Sequence, residues 1–485
     1  MFHNKENGFI ITYILVFAVI FAILLTALLG FILSQMRISK YEVASEQALY
    51  IAEAGLNRYR WYLIHQSQGL LAGDELGCPL SDCSECEECE YEFDLPGVGV
   101  IGGYTLAVEE VRPCGITTAV TVTAEAWTND FPNSKRKVKL RYIKPSVADY
   151  SYILNYNVWA GSDRVITGPY HSNGGIRMDG ENNSLVSSEQ SEWICTSSYG
   201  CSPCPSECNY ISGRGCVCPG VFTTANGQED LFVVNANHFD FEGITVNLNQ
   251  IKGFTKDEDK GLYLPPSGKL GYHVMLNSRQ LIVRKILALS RVWAYNEELG
   301  NFWEYSIISQ ESAPEYYAID DCGLAFIEDN VWIEGGLAGK LTLVSADLIN
   351  EEIETNVWLK GDIEYLNGLG TDGLVLVGQH NVLITPDSPN YMDLYGVFIA
   401  QNGHFGRNHY SPWQYPQYAK KEELAIYGSI VSNGRVGTQW TSGGSWVSGY
   451  GVRKNIYDSK LSIDPPPFLP CLTEEFGFRE WHEVQ

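Results

Sequence analysis

FIITYILVFAVIFAILLTALLGFIL, residues 9–33, runs for 25 residues without a charged side chain. At 1.5 Å per residue, a helix of that length spans a bilayer with room for tilt. It is too long for the apolar region of an ordinary cleaved signal peptide, and no small-x-small cleavage site follows it. The polar leader before it, MFHNKENG, is short and ends at Gly8. After it comes QMRISKYEVASEQALYIAEAGLNRYRWYLI, residues 35–64, and no proline occurs before Pro79. Ala44, Ala48, Ile51, Ala52, Gly55, Tyr59 and Leu63 recur at three- and four-residue steps, so one apolar stripe continues past the membrane. The pattern predicts a single helix over 9–65 of about 55 residues, near 80 Å long. A plain signal anchor accounts for the apolar run; the stripe and the leader point further.

Composition bounds the rest. Of 485 residues, 45% are hydrophobic and 19% charged, which excludes a largely disordered chain and allows two or three domains. Lys and Arg number 33 against 58 Asp and Glu, for a net charge of −25. So acidic a surface repels nucleic acid and anionic lipid headgroups. Glycine, at 47 residues, and abundant asparagine predict many tight turns between short strands.

The N-terminal features resemble those of the type IV pilin class, in particular its PilX-like members. The resemblance rests on the leader ending in Gly8-Phe9, the apolar run, and the segment Ala52-Glu53-Ala54-Gly55-Leu56. It implies that a prepilin peptidase cuts between Gly8 and Phe9, that Phe9 becomes the first mature residue, and that its amine is methylated. It also implies an assembly helix carrying Tyr13, Ala44, Ala48, Ala52, Gly55 and Tyr59, with other pilin subunits as partners. The fifth mature position is Tyr13 where most pilins carry Glu, which argues against a major subunit and for a minor one.

Two cysteine clusters follow. GCPLSDCSECEECEYEF holds Cys78, Cys83, Cys86 and Cys89; CTSSYGCSPCPSECNYISGRGCVCPG holds Cys195, Cys201, Cys204, Cys208, Cys216 and Cys218. C-x-x-C steps suit zinc, but an exported chain enters an oxidising space, so disulfides are the expectation. With Cys114, Cys322 and Cys471 the total is thirteen. Between the clusters, 104–111, 116–128 and 135–143 alternate with period two and predict a small antiparallel sheet. One long helix followed by such a sheet is the plan of a pilin head.

From residue 150 short apolar strands alternate with Gly, Asn and Asp turns. Val331, Val357, Val375, Val397 and Ile426 mark comparable strands spaced 26, 18, 22 and 29 residues apart. That period favours a parallel β-helix over a sandwich. The fold class is therefore α+β, mainly β: leader 1–8, helix 9–65, Cys-rich loop and sheet 66–145, first coils 146–190, an insertion 191–321, and further coils with a cap over 322–485. The segment 275–299 reads as the one amphipathic helix of the insertion. Pro465–Pro467 should cap the last coil. A weaker likeness to extracellular domains that follow PilX-like N-termini lies in Gly168–Gly174, Val331–Gly335, Gly428–Ile430 and Tyr457-Asp458.

No H-E-x-x-H, G-x-S-x-G or Walker-type loop is present, and His171, His238, His273, His380, His404 and His409 are scattered. Asp257, Glu258 and Asp259 lack the full calcium-loop register. Asp362, Glu364, Asp387 and Asp393 could face one side of a β-helix, as in polysaccharide-active enzymes, but their spacing specifies nothing. No cofactor or metal is called for. The leading binding segment is Asn402–Tyr418, with His404, Phe405, Arg407, His409, Tyr410, Trp413, Tyr415 and Tyr418, whose rings suit a glycan face or a protein surface. Packing of those rings against the solenoid is the competing account. The expectation is a non-enzymatic minor pilin or pilin-like surface protein, held in the cytoplasmic or inner membrane and then displayed at the cell surface. The alternatives are a permanently membrane-anchored adhesin and, behind it, a polysaccharide-active β-helix enzyme.

Overall fold

The computed structural model describes residues 7–65, 88–112, 118–225, 229–241, 243–256, 260–350, 353–473 and 475–484. The chain divides into two compact units: residues 1–111, 119–143 and 476–485 in one, and 112–118 with 144–475 in the other.

In the first unit, α1 (Asn7–His65) is one uninterrupted helix of 59 residues. From Ile10 to Val43 every side chain is exposed. From Ala44 onward Ala44, Ala48, Ile51, Ala52, Leu56, Tyr59, Tyr62 and Leu63 are buried. They meet a five-stranded antiparallel sheet, β1 (Glu88–Leu95), β2 (Gly99–Val111), β3 (Ala119–Thr128), β4 (Phe131–Ile143) and a last strand, Gly477–Val484, in that order. Alternation does the sorting: Val120, Val122, Ala124 and Ala126 of β3 and Val138, Leu140 and Tyr142 of β4 face the helix. Small residues let helix and sheet approach closely. A Cβ on Gly55 would lie 2.6 Å from the Tyr104 ring, and the Tyr142 hydroxyl reaches the Leu56 carbonyl at 2.9 Å. The last strand is a correction. Residues 477–484, expected at the end of the solenoid, complete this sheet instead, because β4 has an open edge and GFREWHEV alternates in register with it.

The second unit is built of parallel ladders around an interior of Val, Ile, Leu and Phe. One ladder runs, in spatial order, through Leu262–Leu264, Leu324–Ile327, Lys340–Ser345, Gly373–Gly378, 397–400, 430–432, Tyr152–Leu154, Tyr170–Ser172, Val186–Ser188 and Phe232–Val233. A second pairs Val331 with Val357, Val357 with Val382 and Val382 with Phe405. A third carries Ile363, Leu394, Ile426, Asn455 and Ile166. The coils are thus solenoid-like, as expected. Val331, Val357, Val375, Val397 and Ile426, however, belong to three ladders and not to one column.

Coil order is not chain order. The chain enters in mid-stack at Tyr152, builds outward to Val233, crosses to the far end through α2 (Gly243–Thr255), and returns to close on its own start. Positive-φ glycines make the corners where Tyr-Gly recurs; at Gly428 a Cβ would lie 2.1 Å from the Gly396 carbonyl oxygen. Asparagines stack at another corner, Asn330 to Asn356 at 2.8 Å and Asn356 to Asn381 at 3.0 Å.

Two more expectations are corrected. The helix read over 275–299 is strand: Tyr272–Ser278 and Gln280–Asn296 pair antiparallel, and Gln280–Asn296 continues into a ribbon with Gly300–Glu311. Its Leu, Val, Ile and Trp residues satisfy both periods over short spans, and the partner strand decides for period two. Pro465–Pro467 does not close the stack's end. Leu461, Phe468 and Leu469 cover the outer side of the first ladder with α2, where Phe326, Val344, Val375 and Val397 need burial. Strands such as LTLVS and GLVLVG are apolar on both faces for that reason.

Candidate assembly helix and display surface

Gly8 and Phe9 fall in the first turns of α1; the leader before them, residues 1–6, and the side chains of both lie outside the described residues. Tyr13 is exposed on the apolar half. Ala44, Ala48, Ala52, Gly55 and Tyr59 are not available to other subunits, because the chain's own sheet closes over them. Burial pushes the Tyr59 hydroxyl far above its usual range. The helix is open on every side over residues 10–43; beyond them only the face away from the sheet, with Tyr50, Trp61 and Ile64, is exposed.

Of the first cysteine cluster, Cys78, Cys83 and Cys86 lie outside the described residues, as do Cys114 and Asp257–Asp259, and Cys89 is placed only by its backbone in β1. The second cluster is a stapled lobe with bridges Cys195–Cys201, Cys204–Cys216 and Cys208–Cys218. Trp193, Tyr199 and Phe222 pack around the sulfurs. Cys195, Cys201 and Cys218 approach as a metal set would, yet each is consumed in a bridge.

The expected binding loop splits in two. Phe405 and Arg407 sit inside the coil and Tyr410 under the ribbon, all three fully buried. The Arg407 side chain donates to the carbonyls of Ala419, Pro386 and Tyr418 and lies 4.7 Å from the Tyr410 ring centre. Beside it is Glu304 of the ribbon, whose carboxylate accepts from Asn408 at 2.8 Å, Tyr410 at 2.9 Å and Ser306. Burial raises the Glu304 carboxyl, and those hydrogen bonds and Arg407 oppose the shift. His404 is pushed down to about 4 by burial and by His380, and burial also lowers His409, so burial favours the neutral ring at both. These residues hold the ribbon to the coils; they are not a binding face.

The remainder of the loop is outside. Trp413 is 94% exposed, and Tyr415 and Tyr418 are half-buried, with the Trp293 amide donating to the Tyr415 hydroxyl at 3.1 Å. The sequence reading missed the ribbon, where Arg291 lies 4.3 Å over Trp303, Trp293 meets Trp303 edge-on at 5.0 Å, and Tyr305 is exposed. Alternation of aromatics in SRVWAYN against NFWEYS was the available signal, and the helix assignment masked it. Asp362 and Asp393 come together on adjacent coils, the Asp393 amide donating to Asp362 at 3.0 Å. Asp387 and Glu364 are exposed elsewhere. The six histidines do not converge: His171 binds Ser187 and Asn173, His238 binds Glu189, and His273 lies between Glu311 and Glu334.

No protein-family model and no curated protein sequence matches this chain. Among solved structures, the crystal structure of the competence-associated pilin ComZ from Thermus thermophilus is similar at 11% identity, covering 91% of this chain and 97% of that one. The TM-score is 0.29, a level that does not establish a common fold.

Proposed function

We propose that this chain is a pilin-like surface protein of the minor class, in which α1 is the assembly element and the 144–475 unit is a displayed binding head. The observation that carries the reading is the sharp division of one helix. Residues 10–43 are exposed on all sides, with no charge as far as Leu33, whereas from 44 to 63 one stripe, Ala44, Ala48, Ile51, Ala52, Leu56, Tyr59 and Leu63, is sealed beneath the chain's own sheet. A helix so divided has a soluble unit fixed to one end and an apolar rod at the other that must be covered by something else. Lipid covers it first; after a prepilin peptidase cuts between Gly8 and Phe9, the helices of neighbouring subunits replace the lipid. The exchange conserves buried apolar area and needs no catalysis by this chain.

The head then acts by binding. Its exposed rings, Trp413 and the ribbon's Trp303 and Tyr305, with Arg291 and the half-buried Trp293 beside them, suit the apolar faces of sugars or a partner protein. N-terminal sequencing of the chain recovered from assembled surface material is the test. A mature chain beginning at Phe9 is expected; one retaining Met1 would leave a permanently anchored adhesin.

A further inference from the structure

We propose that the interior of the coil stack holds one small monovalent anion, of the halide class, between Arg164 and Arg453. The two arginines are register partners in adjacent parallel strands, at the seam where the returning chain closes on its own start. Partners in neighbouring strands lie about 4.8 Å apart. Arg164 points inward with Ile166 and is only 6% exposed. Further along the same column stand Leu424, paired with Arg453, and Met392, paired with Leu424. Two guanidinium groups thus occupy a column that is elsewhere aliphatic.

Their charges are not balanced. Arg453 pairs with Asp163 and donates to Gln439 at 3.1 Å. Arg164 donates to the Tyr152 hydroxyl and to Asn455 Oδ1, the latter at 2.6 Å, and both acceptors are neutral. One carboxylate therefore serves two guanidiniums. Among the described residues neither Nε has a hydrogen-bond partner. Both arginines line a single cavity of about 10 Å³, together with Tyr152, Thr438, Asn455 and Phe405.

Arginine cannot shed its proton, and a buried charge without a partner is strongly unfavourable. A cavity of this size takes one small, near-spherical occupant, a water or a monatomic anion. Water would accept from the free N–H groups but leave the charge; a halide does both. Sulfate, phosphate and carboxylate ligands are too large for the space. The site ties together segments 291 residues apart in the chain, so occupancy should stabilise the closed stack.

The test uses the full chain in detergent, with its Tm followed by circular dichroism while sodium chloride or bromide replaces sodium gluconate at constant ionic strength. A saturable rise of about 2–4 °C is expected for either halide, and none for Arg164→Met. Because Arg164 also anchors Tyr152 and Asn455, Arg453→Gln is the second variant, and it too should lose the halide response. Crystals grown in bromide give a direct readout, with an anomalous peak expected between the two guanidinium groups. A Tm that tracks ionic strength whatever the anion, variants that respond as the parent does, or density for water alone at that position would each overturn the proposal.

Discussion

The division of the 402–418 segment into a buried part and an exposed part can be tested by two alanine substitutions eight residues apart. Phe405→Ala removes a ring that is fully buried, stands in register with Val382, and lies 5.8 Å from Phe398. Its neighbours are held by ladders on both sides and cannot collapse into the space. The cost should therefore sit in the upper range for such truncations, about 3–5 kcal/mol. Trp413→Ala removes a larger ring that is 94% exposed, so its effect on stability should stay within about 0.5 kcal/mol. Urea unfolding of the detergent-solubilised full chain, followed by near-UV circular dichroism, reads the difference as a shift in midpoint at constant slope. In a thermal melt, Phe405→Ala should lower the Tm by roughly 5–10 °C and Trp413→Ala by no more than about 1 °C. Attachment to a surface or partner, normalised to folded protein, should fall only for Trp413→Ala. Equal, small losses of stability in both variants would refute the assignment of Phe405 to the coil interior. A large loss for Trp413→Ala would make that ring a packing element and remove it from the display surface.

Gly55→Val should destabilise the helix–sheet unit by about 1–3 kcal/mol, since its Cβ would lie 2.6 Å from the Tyr104 ring; Gly30→Val, with open space around it, is the matched control, and comparable losses would contradict the packing described. His404 contributes a pH dependence whose sign follows from its lowered value of about 4 against 6.5 when unfolded. The unfolded chain takes up the proton first, so stability is full above pH 6.5, falls as pH drops towards 4, and falls no further from this group below that. His404→Gln should flatten that interval in a pH series of melts, and an unchanged profile would count against a buried, neutral ring. Truncation after Phe476 should lower the melting of the helix–sheet unit and promote aggregation through the bared edge of β4, while leaving the coil unit's transition in place. Loss of both transitions together would show that the last strand does more than complete its sheet.

How much of this was legible depended on how local each signal was. The helix was readable because Phe9–Leu33 and the steps from Ala44 to Leu63 repeat the same period over many turns. The strand within 116–128 was readable because Val and Thr alternate there, and 135–143 because Val138, Leu140 and Tyr142 alternate with Lys and Arg. Parallel coils were legible as a class, from Val-rich runs between Gly and Asn turns, but the pairing was not. Val331 and Val357 are ladder partners at a separation of 26 residues, whereas Ile430 and Tyr152 are partners across most of the unit. Nothing local encodes the second kind of contact. The segment 280–296 failed for a different reason. QLIVRKILALSRVWAYN presents apolar residues at both helical and strand spacing, and only the company of Tyr272–Ser278 and Gly300–Glu311 selects the strand. In the binding loop, composition pointed outward while register pointed inward: Phe405 and Tyr410 occupy rungs, and rungs bury their side chains whatever the loop around them looks like.

The C-terminal strand brings the two ends of the 144–475 segment back to one sheet. The chain leaves the sheet after Ile143 and returns to it at Gly477, and those two residues are register partners in adjacent antiparallel strands. On the coil side the same two segments stay paired: the Val147 amide donates to the Pro470 carbonyl at 3.0 Å, the Leu472 amide to Pro145 at 2.7 Å, and Ser146 bridges Cys471. The 144–475 segment thus leaves from β4 and ends at the strand paired with it. Within the sheet, β4 pairs with β3 on one side and with the last strand on the other. β4 is also held to the buried half of α1 through Val138, Leu140 and Tyr142.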